Sequence, residues 1–160
     1  MAEKKPKKRI AIIASKGTLD MAYPPLILAT TAIAMDMEAG IFFTFYGLNI
    51  IKKSTMNSLK IAPLGNPAMP VPMPNIIGAL PGMTAMATVM MKSWMGKANV
   101  ATIPQLIQTA IDGGVRLWAC QMAMEVMGLK KSDLIDGIED PVGAATFLDY
   151  AVDADVSLFI

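Results

Sequence analysis

The residue best suited to chemistry is Cys120, the single cysteine of this 160-residue chain. It lies between a short apolar run that suits a buried strand, 115–118, and a run with apolar residues at helical spacing that ends before Gly128. Unpaired N–H groups and the helix dipole stabilise an anion at the first turn of a helix. The pattern therefore predicts a thiol that ionises readily and serves as a nucleophile or sulfur acceptor. Spacing alone leaves a second interpretation open, in which Cys120 only fills the seam between sheet and helix.

The rest of the composition limits the kinds of reactive or metal-binding site that the chain can form. The chain has no histidine, which excludes His-based zinc sites and Cys-His dyads, and a lone cysteine cannot form an internal disulfide. We therefore expect no metal and no cofactor, and a reducing cytoplasmic setting. Seven of the fifteen methionines lie between Met69 and Met95, so soft-metal binding by thioethers is a minor alternative.

Charge and hydropathy limit the classes of partner that the chain can bind. Apolar residues make up 54% of the chain and charged ones 17%, which indicates apolar surface that oligomerisation or lipid would cover. Residues 1–9 form a basic solvated tail, and the remaining basic residues are scattered, so nucleic-acid binding is not expected. The apolar run at 10–14 is broken too early for a signal peptide. We expect one domain over 10–160, with a Met/Pro-rich insertion at about 61–97.

The elements that would position Cys120 alternate between strand and helix. Residues 9–15 read as a central buried first strand, and a helix from Asp20 or Tyr23 to Ala39 follows, with two prolines in its first turn and Gly40 just past its end. Residues 41–46 read as a second strand, parallel to the first. Later elements are a helix after Pro81, a helix over 102–111, the strand and helix that flank Cys120, a short helix or strand at 132–138, a helix from 143 to about 152 and a terminal strand at 156–160.

Ser15, Lys16, Gly17 and Thr18 follow the first strand at the edge where open α/β sheets gather their sites. They are candidates, with Gln121, to line a pocket at Cys120. Lys16 or Arg116 is a further hypothesis for a cation that assists thiol ionisation. The glycine spacing of a P-loop or dinucleotide fingerprint is missing, so nucleotide or flavin binding is a minor alternative.

A second candidate surface is a stripe on the helix after Pro81. Met83, Met86, Met90 and Trp94 fall at i, i+3, i+7 and i+11, which is typical of core or of an adaptable contact surface for a partner or sister subunit. Residues 61–91 carry no charge but six prolines, which forbid one continuous helix and make a simple membrane span improbable. Contact with a membrane surface stays open.

The chain resembles the DsrE/DsrF-like sulfur-trafficking family over nearly its whole length. The runs that carry the resemblance are YPPLILATTAIAMDMEAGIFFTFYGL (23–48), GMTAMATVMMKSWM (82–95) and LWACQMAMEVMGLKKSDLIDGIE (117–139), with Cys120 in the place of the family cysteine. The resemblance implies a three-layer α/β/α fold of flavodoxin-like topology class, with a mainly parallel sheet of about five strands.

The same resemblance implies a cytoplasmic, homo-oligomeric sulfur carrier or sulfurtransferase. Cys120 would hold sulfane sulfur as a persulfide or thiosulfonate and exchange it with a TusA-like carrier or a rhodanese-type protein. Some relatives have a second cysteine, which this chain lacks, so only one-thiol transfer is expected. The alternative is a non-catalytic oligomeric or membrane-peripheral scaffold that works through the Met-rich helix.

Overall fold

The computed structural model describes residues 7–62 and 80–160. The predicted insertion therefore lies partly outside the described residues. Three short 3-10 turns, at Phe45–Gly47, Met56–Ser58 and Lys131–Asp133, connect longer elements. In chain order the helices and strands are β1 (Arg9–Ala14), α1 (Leu19–Ala34), β2 (Glu38–Phe43), α2 (Leu48–Ile51), α3 (Met83–Lys97), α4 (Ile103–Asp112), β3 (Arg116–Ala119), α5 (Gln121–Val126), α6 (Ala144–Ala151) and β4 (Val156–Phe159).

The sheet formed by these strands is entirely parallel, in the order β3-β2-β1-β4. The predicted parallel α/β sheet with β1 inside it is confirmed, although the described residues form four strands rather than about five. The segment 132–138, predicted as a short helix or strand, begins in a 3-10 turn, where the backbone N–H of Lys130 donates to the carboxylate of Asp133. Leu134 then makes only an isolated bridge to Lys52.

Helices cover both faces of the sheet because the chain reverses direction across it. The steps from β1 to β2 and from β2 to β3 run the same way, so right-handed crossovers place α1 and α4 on one face. The step from β3 back past β1 to β4 runs the other way and places α6 on the opposite face. There Phe147 of α6 stacks on Phe42 of β2, with ring centroids 4.8 Å apart. The predicted three-layer architecture is confirmed.

The end of α1 differs from the prediction. The helix stops at Ala34, five residues before the expected Ala39, because Asp36 adopts a left-handed conformation with φ 59°. The N–H groups of Asp36 and Met37 then donate to the carbonyls of Ile33 and Ala32, at 3.0 and 2.9 Å. This is the Schellman arrangement, formed here around an aspartate instead of a glycine.

The start of α1 also differs from the prediction. Leu19 is buried in the core, and its N–H donates to the carbonyl of Lys60 at 2.8 Å, so the helix begins there. Pro24 and Pro25 consequently lie in the second turn rather than the first. Each removes one N–H donor from the helix interior.

Gly40 lies inside β2 and not past a helix end as predicted. A Cβ atom on Gly40 would lie 2.6 Å from Cζ3 of Trp118 and 2.7 Å from Cε1 of Tyr150. Those two rings pack edge to face on this side of the sheet, with centroids 5.0 Å apart. Glycine is therefore required here by the close approach of the aromatic layer, not by backbone conformation.

Replacing Gly40 with alanine should destabilise the fold by about 1–3 kcal/mol, because two buried rings must shift to admit the methyl group. Denaturant unfolding measures the free energy. Gly96→Ala is the matched control, since a Cβ at that helical position meets nothing within 4 Å. Equal unfolding midpoints for the two variants would contradict this account of Gly40.

Candidate functional site

Cys120 lies where the sequence predicts it, between the end of β3 and the first turn of α5. It is the N-cap residue of α5, with φ −71° and ψ 114°. Its N–H donates to the carbonyl of Phe43 at 2.9 Å, and its carbonyl accepts from the N–H of Met124 at 3.0 Å. Hydrogen bonds thus fix the backbone N–H of Cys120 to β2 and its carbonyl to α5.

The backbone N–H groups in the first turn of α5 differ in whether they have a hydrogen-bond acceptor. The N–H of Gln121 donates to the carbonyl of Val142 at 3.0 Å. The N–H groups of Met122 and Ala123 donate to no acceptor among the described residues. The Cys120 side chain makes no capping hydrogen bond. Those two N–H groups are the donors that a helix start leaves open to an anion. Because α5 has only six residues, these local amides matter more than a long helix dipole would.

The side chain of Cys120 is buried in the core. Cys120 is 5% exposed and packs within the same cluster as Leu117 and Ala119. The side chain of Met122, two residues further on, is exposed. Cys120 therefore fills the seam between sheet and helix, as the packing interpretation requires, and it does so at the carboxyl edge of the sheet.

The segment after β2 contributes two exposed aromatic side chains to this edge. Phe45 has φ +46°, a left-handed conformation that bulky residues rarely adopt, and both Phe45 and Tyr46 are exposed. The sequence prediction of a strand over 41–46 missed them, because aromatic and β-branched residues favour strands. The signal that points to a turn is Gly47, whose Cβ would lie 2.0 Å from the carbonyl oxygen of Ala14.

The structure places the other predicted pocket residues one strand further away. The N–H and Oγ of Ser15 donate to the carbonyl of Ile160 at 2.7 and 3.0 Å, and a Cβ on Gly17 would lie 2.0 Å from the carbonyl oxygen of Tyr46. Lys16 is exposed, and Thr18 is the N-cap of α1. With β2 between β1 and β3, about 10 Å of sheet separates this loop from the strand that ends at Cys120.

Gln121 is next to Cys120 in sequence but is exposed. Its Nε2 donates to Oε1 of Glu125 at 3.2 Å, which directs the side chain along α5. The structure thus joins Ser15 and Gly17 to the loop after β2, and it leaves Gln121 on the outer surface of α5.

The methionine stripe on α3 is exposed and not core. Met86, Met90 and Trp94 are all exposed and Met83 is half-buried, whereas Thr88 on the other side of the helix is buried. Thr88 Oγ1 accepts from the N–H of Ile61 at 3.2 Å, which anchors that inner side. The exposure of the stripe agrees with its interpretation as a contact surface and not with its interpretation as core.

Arg116 cannot assist Cys120, and that hypothesis was wrong. It is the first residue of β3, so about 13 Å of strand separates it from the thiol. Its Nε and Nη2 donate to the two carboxylate oxygens of Glu139 at 2.7 and 2.9 Å, and Nε1 of Trp118 donates to the same carboxylate at 2.8 Å. This cluster fastens the amino end of β3.

The described residues contain neither a membrane-spanning helix nor a cluster of metal-ligating side chains. No helix in residues 7–62 or 80–160 has the length and apolar character needed to cross a membrane. In the same residues, no three His, Cys, Asp or Glu side chains are grouped so as to hold a metal ion.

Comparison with known proteins assigns the family. The model of the DsrE/DsrF/DrsH-like family matches residues 6–159, and the chain belongs to this family. It is 46% identical to the sulfur carrier protein DsrE2 of Allochromatium vinosum, an alignment that covers 96% of this chain and 99% of that protein. It is 36% identical to the uncharacterized protein YrkE of Bacillus subtilis, covering 96% and 97% respectively.

Solved structures share the fold at low sequence identity. The crystal structure of the YchN protein from E. coli matches with a TM-score of 0.58 and 13% identity, over 96% of this chain and 99% of that one. The protein of unknown function MTH1491 from Methanobacterium thermoautotrophicum matches with a TM-score of 0.53 and 10% identity, over 96% of this chain and all of that one. These matches support the fold class.

The Arg116–Glu139 pair should make stability depend on pH. The hydrogen bond from Arg116 holds the pKa of Glu139 below its ordinary value of 4.5. A carboxylate with a lowered pKa stabilises the folded state above its unfolded pKa, and this contribution is lost as the pH falls through the folded pKa. Denaturant unfolding from pH 7 down through the acid range should therefore show a smaller loss of stability for Glu139→Gln than for the native chain. Arg116→Gln removes the same cause and should flatten the curve in the same way, whereas parallel curves for all three proteins would contradict the assignment.

Proposed function

We propose that this chain is a sulfur carrier that holds sulfane sulfur on Cys120. The observation that carries the proposal is the position of the only thiol at the N-cap of α5, beside the Met122 and Ala123 amides that have no acceptor among the described residues. Membership of the family and the likeness to a protein named as a sulfur carrier support it. The N–H groups of Met122 and Ala123 would stabilise the negative charge of a persulfide, whose outer sulfur extends beyond Sγ.

The proposed transfer is a pair of thiol exchange steps. The Cys120 thiolate attacks the outer sulfur of a donor persulfide, so that one S–S bond forms as another breaks and the donor leaves as a thiolate. An acceptor thiolate then attacks the outer sulfur on Cys120, takes it, and leaves the Cys120 thiolate behind. Neither step needs an external oxidant or reductant, and neither needs a second cysteine or a histidine in this chain. With a thiosulfonate on Cys120, an acceptor thiolate would instead attack the sulfonate sulfur, so that its own S–S bond forms as the bond to Sγ breaks and Cys120 leaves as a thiolate.

Cys120 is buried, so the role requires that a bound sulfur extend the reactive atom beyond the thiol. The outer sulfur of a persulfide lies about 2 Å beyond Sγ, and in this proposal it reaches the carboxyl edge of the sheet. Exposed Phe45, Tyr46 and Met122 lie on segments that leave the same edge of the sheet and would meet the partner protein. We propose a TusA-like carrier or a rhodanese-type protein as that partner, in a reducing cytoplasm where a lone thiol stays free.

A scaffold role for the chain has its own support. The exposed stripe on α3, with Met86 at 60% and Trp94 at 43% exposure, suits binding to a sister subunit, another protein or a membrane surface without any sulfur chemistry. The two functions are distinguished by Cys120→Ser, since a scaffold keeps all of its binding and its cellular function in that variant.

Incubation with polysulfide should add sulfur to the purified chain at Cys120, detected as a gain in intact mass that cyanide or a thiol reverses. A carrier should stop at one loaded site per chain, whereas a turnover enzyme would keep passing sulfur from small donors to small acceptors.

Cys120→Ser is the matched control, because it replaces one atom and leaves the fold in place. It should gain no sulfur. A native chain that gains none, or a serine variant that gains as much as the native chain, would contradict the proposal.

A further inference from the structure

Charge is segregated along this chain into a basic middle and an acidic end. Between Glu38 and Asp112 there are five lysines and no acidic residue. After Lys131 there are seven acidic residues and no basic one. Helix α3 lies in the first region, and α6 and β4 lie in the second. Helix α3 thus carries only basic residues among its charged side chains, and α6 carries only an acidic one.

The outward face of α3 is apolar with a basic end. Met86, Met90 and Trp94 recur one turn apart and are exposed, and Lys97 falls on the same side, three residues after Trp94. Lys97 makes no ion pair among the described residues. The surface therefore presents about three turns of flexible apolar side chains that end in a free ammonium group.

The face of the sheet beneath α6 is incompletely covered. Among the described residues, one eight-residue helix spans it, and beside that helix a groove of about 530 Å³ runs along edge strand β4. Its wall includes two strongly exposed apolar side chains, Val152 at 79% and Phe159 at 73%, together with exposed Leu148. An apolar edge strand without lysine or proline is a surface that proteins normally cover.

The rim of this groove is acidic. Asp149 lies on α6 and Asp153 lies two residues past its end, and each directly follows one of the apolar pair Leu148 and Val152 in sequence. Asp153 is 3.9 Å from Arg9, whereas Asp149 has no ion-pair partner among the residues described. The groove therefore matches the outward face of α3 in both respects, apolar at its centre and opposite in charge at its rim.

We propose that α3 of one copy of this chain docks into the groove between α6 and β4 of a second copy, with Lys97 facing Asp149 and Asp153. The occupant is a second copy because one chain carries both complementary surfaces. The two surfaces are different, so the contact is head-to-tail, and repeating it gives a closed ring if the rotation closes. The interface uses neither Cys120 nor the aromatic side chains of Phe45 and Tyr46.

Two surface variants test the arrangement. Trp94→Glu with Lys97→Glu spoils the α3 face, and Asp149→Lys with Val152→Lys spoils the groove. All four positions are exposed, so both variants should keep the native circular dichroism spectrum. The native chain should have a molar mass that is a multiple of 17.1 kDa by light scattering, and each variant alone should have the mass of one chain.

Mixing the two variants is the decisive experiment. One still has an intact groove and the other an intact α3 face, so the mixture should form a complex of two chains that stops there. Lys130→Glu, a charge reversal on another exposed surface, should assemble like the native chain.

A monomeric native chain, a single-surface variant that assembles alone, or a mixture that stays monomeric would each overturn the proposal. Binding of a monomeric native chain to anionic lipid vesicles, lost in the Trp94→Glu, Lys97→Glu variant, would assign the α3 face to a membrane instead. These measurements follow mass and binding, not sulfur, so they fail or succeed separately from the proposed sulfur chemistry.

Discussion

The parallel pairing of β2 with β3 decides where the only thiol of this chain lies. Phe43 and Ala119 are register partners, and the next N–H along, that of Cys120, donates to the carbonyl of Phe43. A slip of one residue in this register would exchange the faces of β3 and bury or expose the wrong side chains. The position of Cys120 at the edge of the sheet follows from this pairing, and so does its place beside the loop after β2.

The opposite end of β3 holds that register. Arg116 pairs with both oxygens of Glu139, Trp118 donates to the same carboxylate, and the Arg116 guanidinium lies 4.5 Å from the centre of the Trp118 ring. The Trp118 ring in turn needs the space left by Gly40. The amino end of the strand is therefore structural, and the carboxyl end carries the candidate chemistry. This division agrees with the general rule that open α/β sheets place their sites beyond the carboxyl ends of the strands.

Much of this arrangement could be predicted from the sequence, because local patterns determine it. The run before Cys120 and the apolar spacing after it locate the strand-to-helix junction. The capping box between Thr102 and Gln105 begins α4 within one residue of the expected position. What local patterns miss are choices made by tertiary contacts. Asp36 takes the left-handed position expected of glycine, while Gly40 is used inside a strand to admit two rings.

The same limit applies to the candidate site. Arg116 precedes Cys120 by only four residues in sequence, but the length of β3 separates the two, and the partner of Arg116, Glu139, lies 23 positions away in sequence. Phe45 and Tyr46 look like strand residues, and only the close approach of the Gly47 backbone to Ala14 turns them outward. Spacing along the chain identifies the thiol, but the three-dimensional order of strands identifies its neighbours.

A sulfur carrier requires that the Cys120 sulfur react while the protein remains folded. The most direct measurement is the rate of Cys120 alkylation by a small reagent as denaturant is added, well below the unfolding transition. The alkylation rate should barely change with denaturant, because native-state motion at the carboxyl edge of the sheet exposes the thiol. A rate that rises in proportion to the globally unfolded population would contradict it, since the thiol would then react only in the unfolded chain.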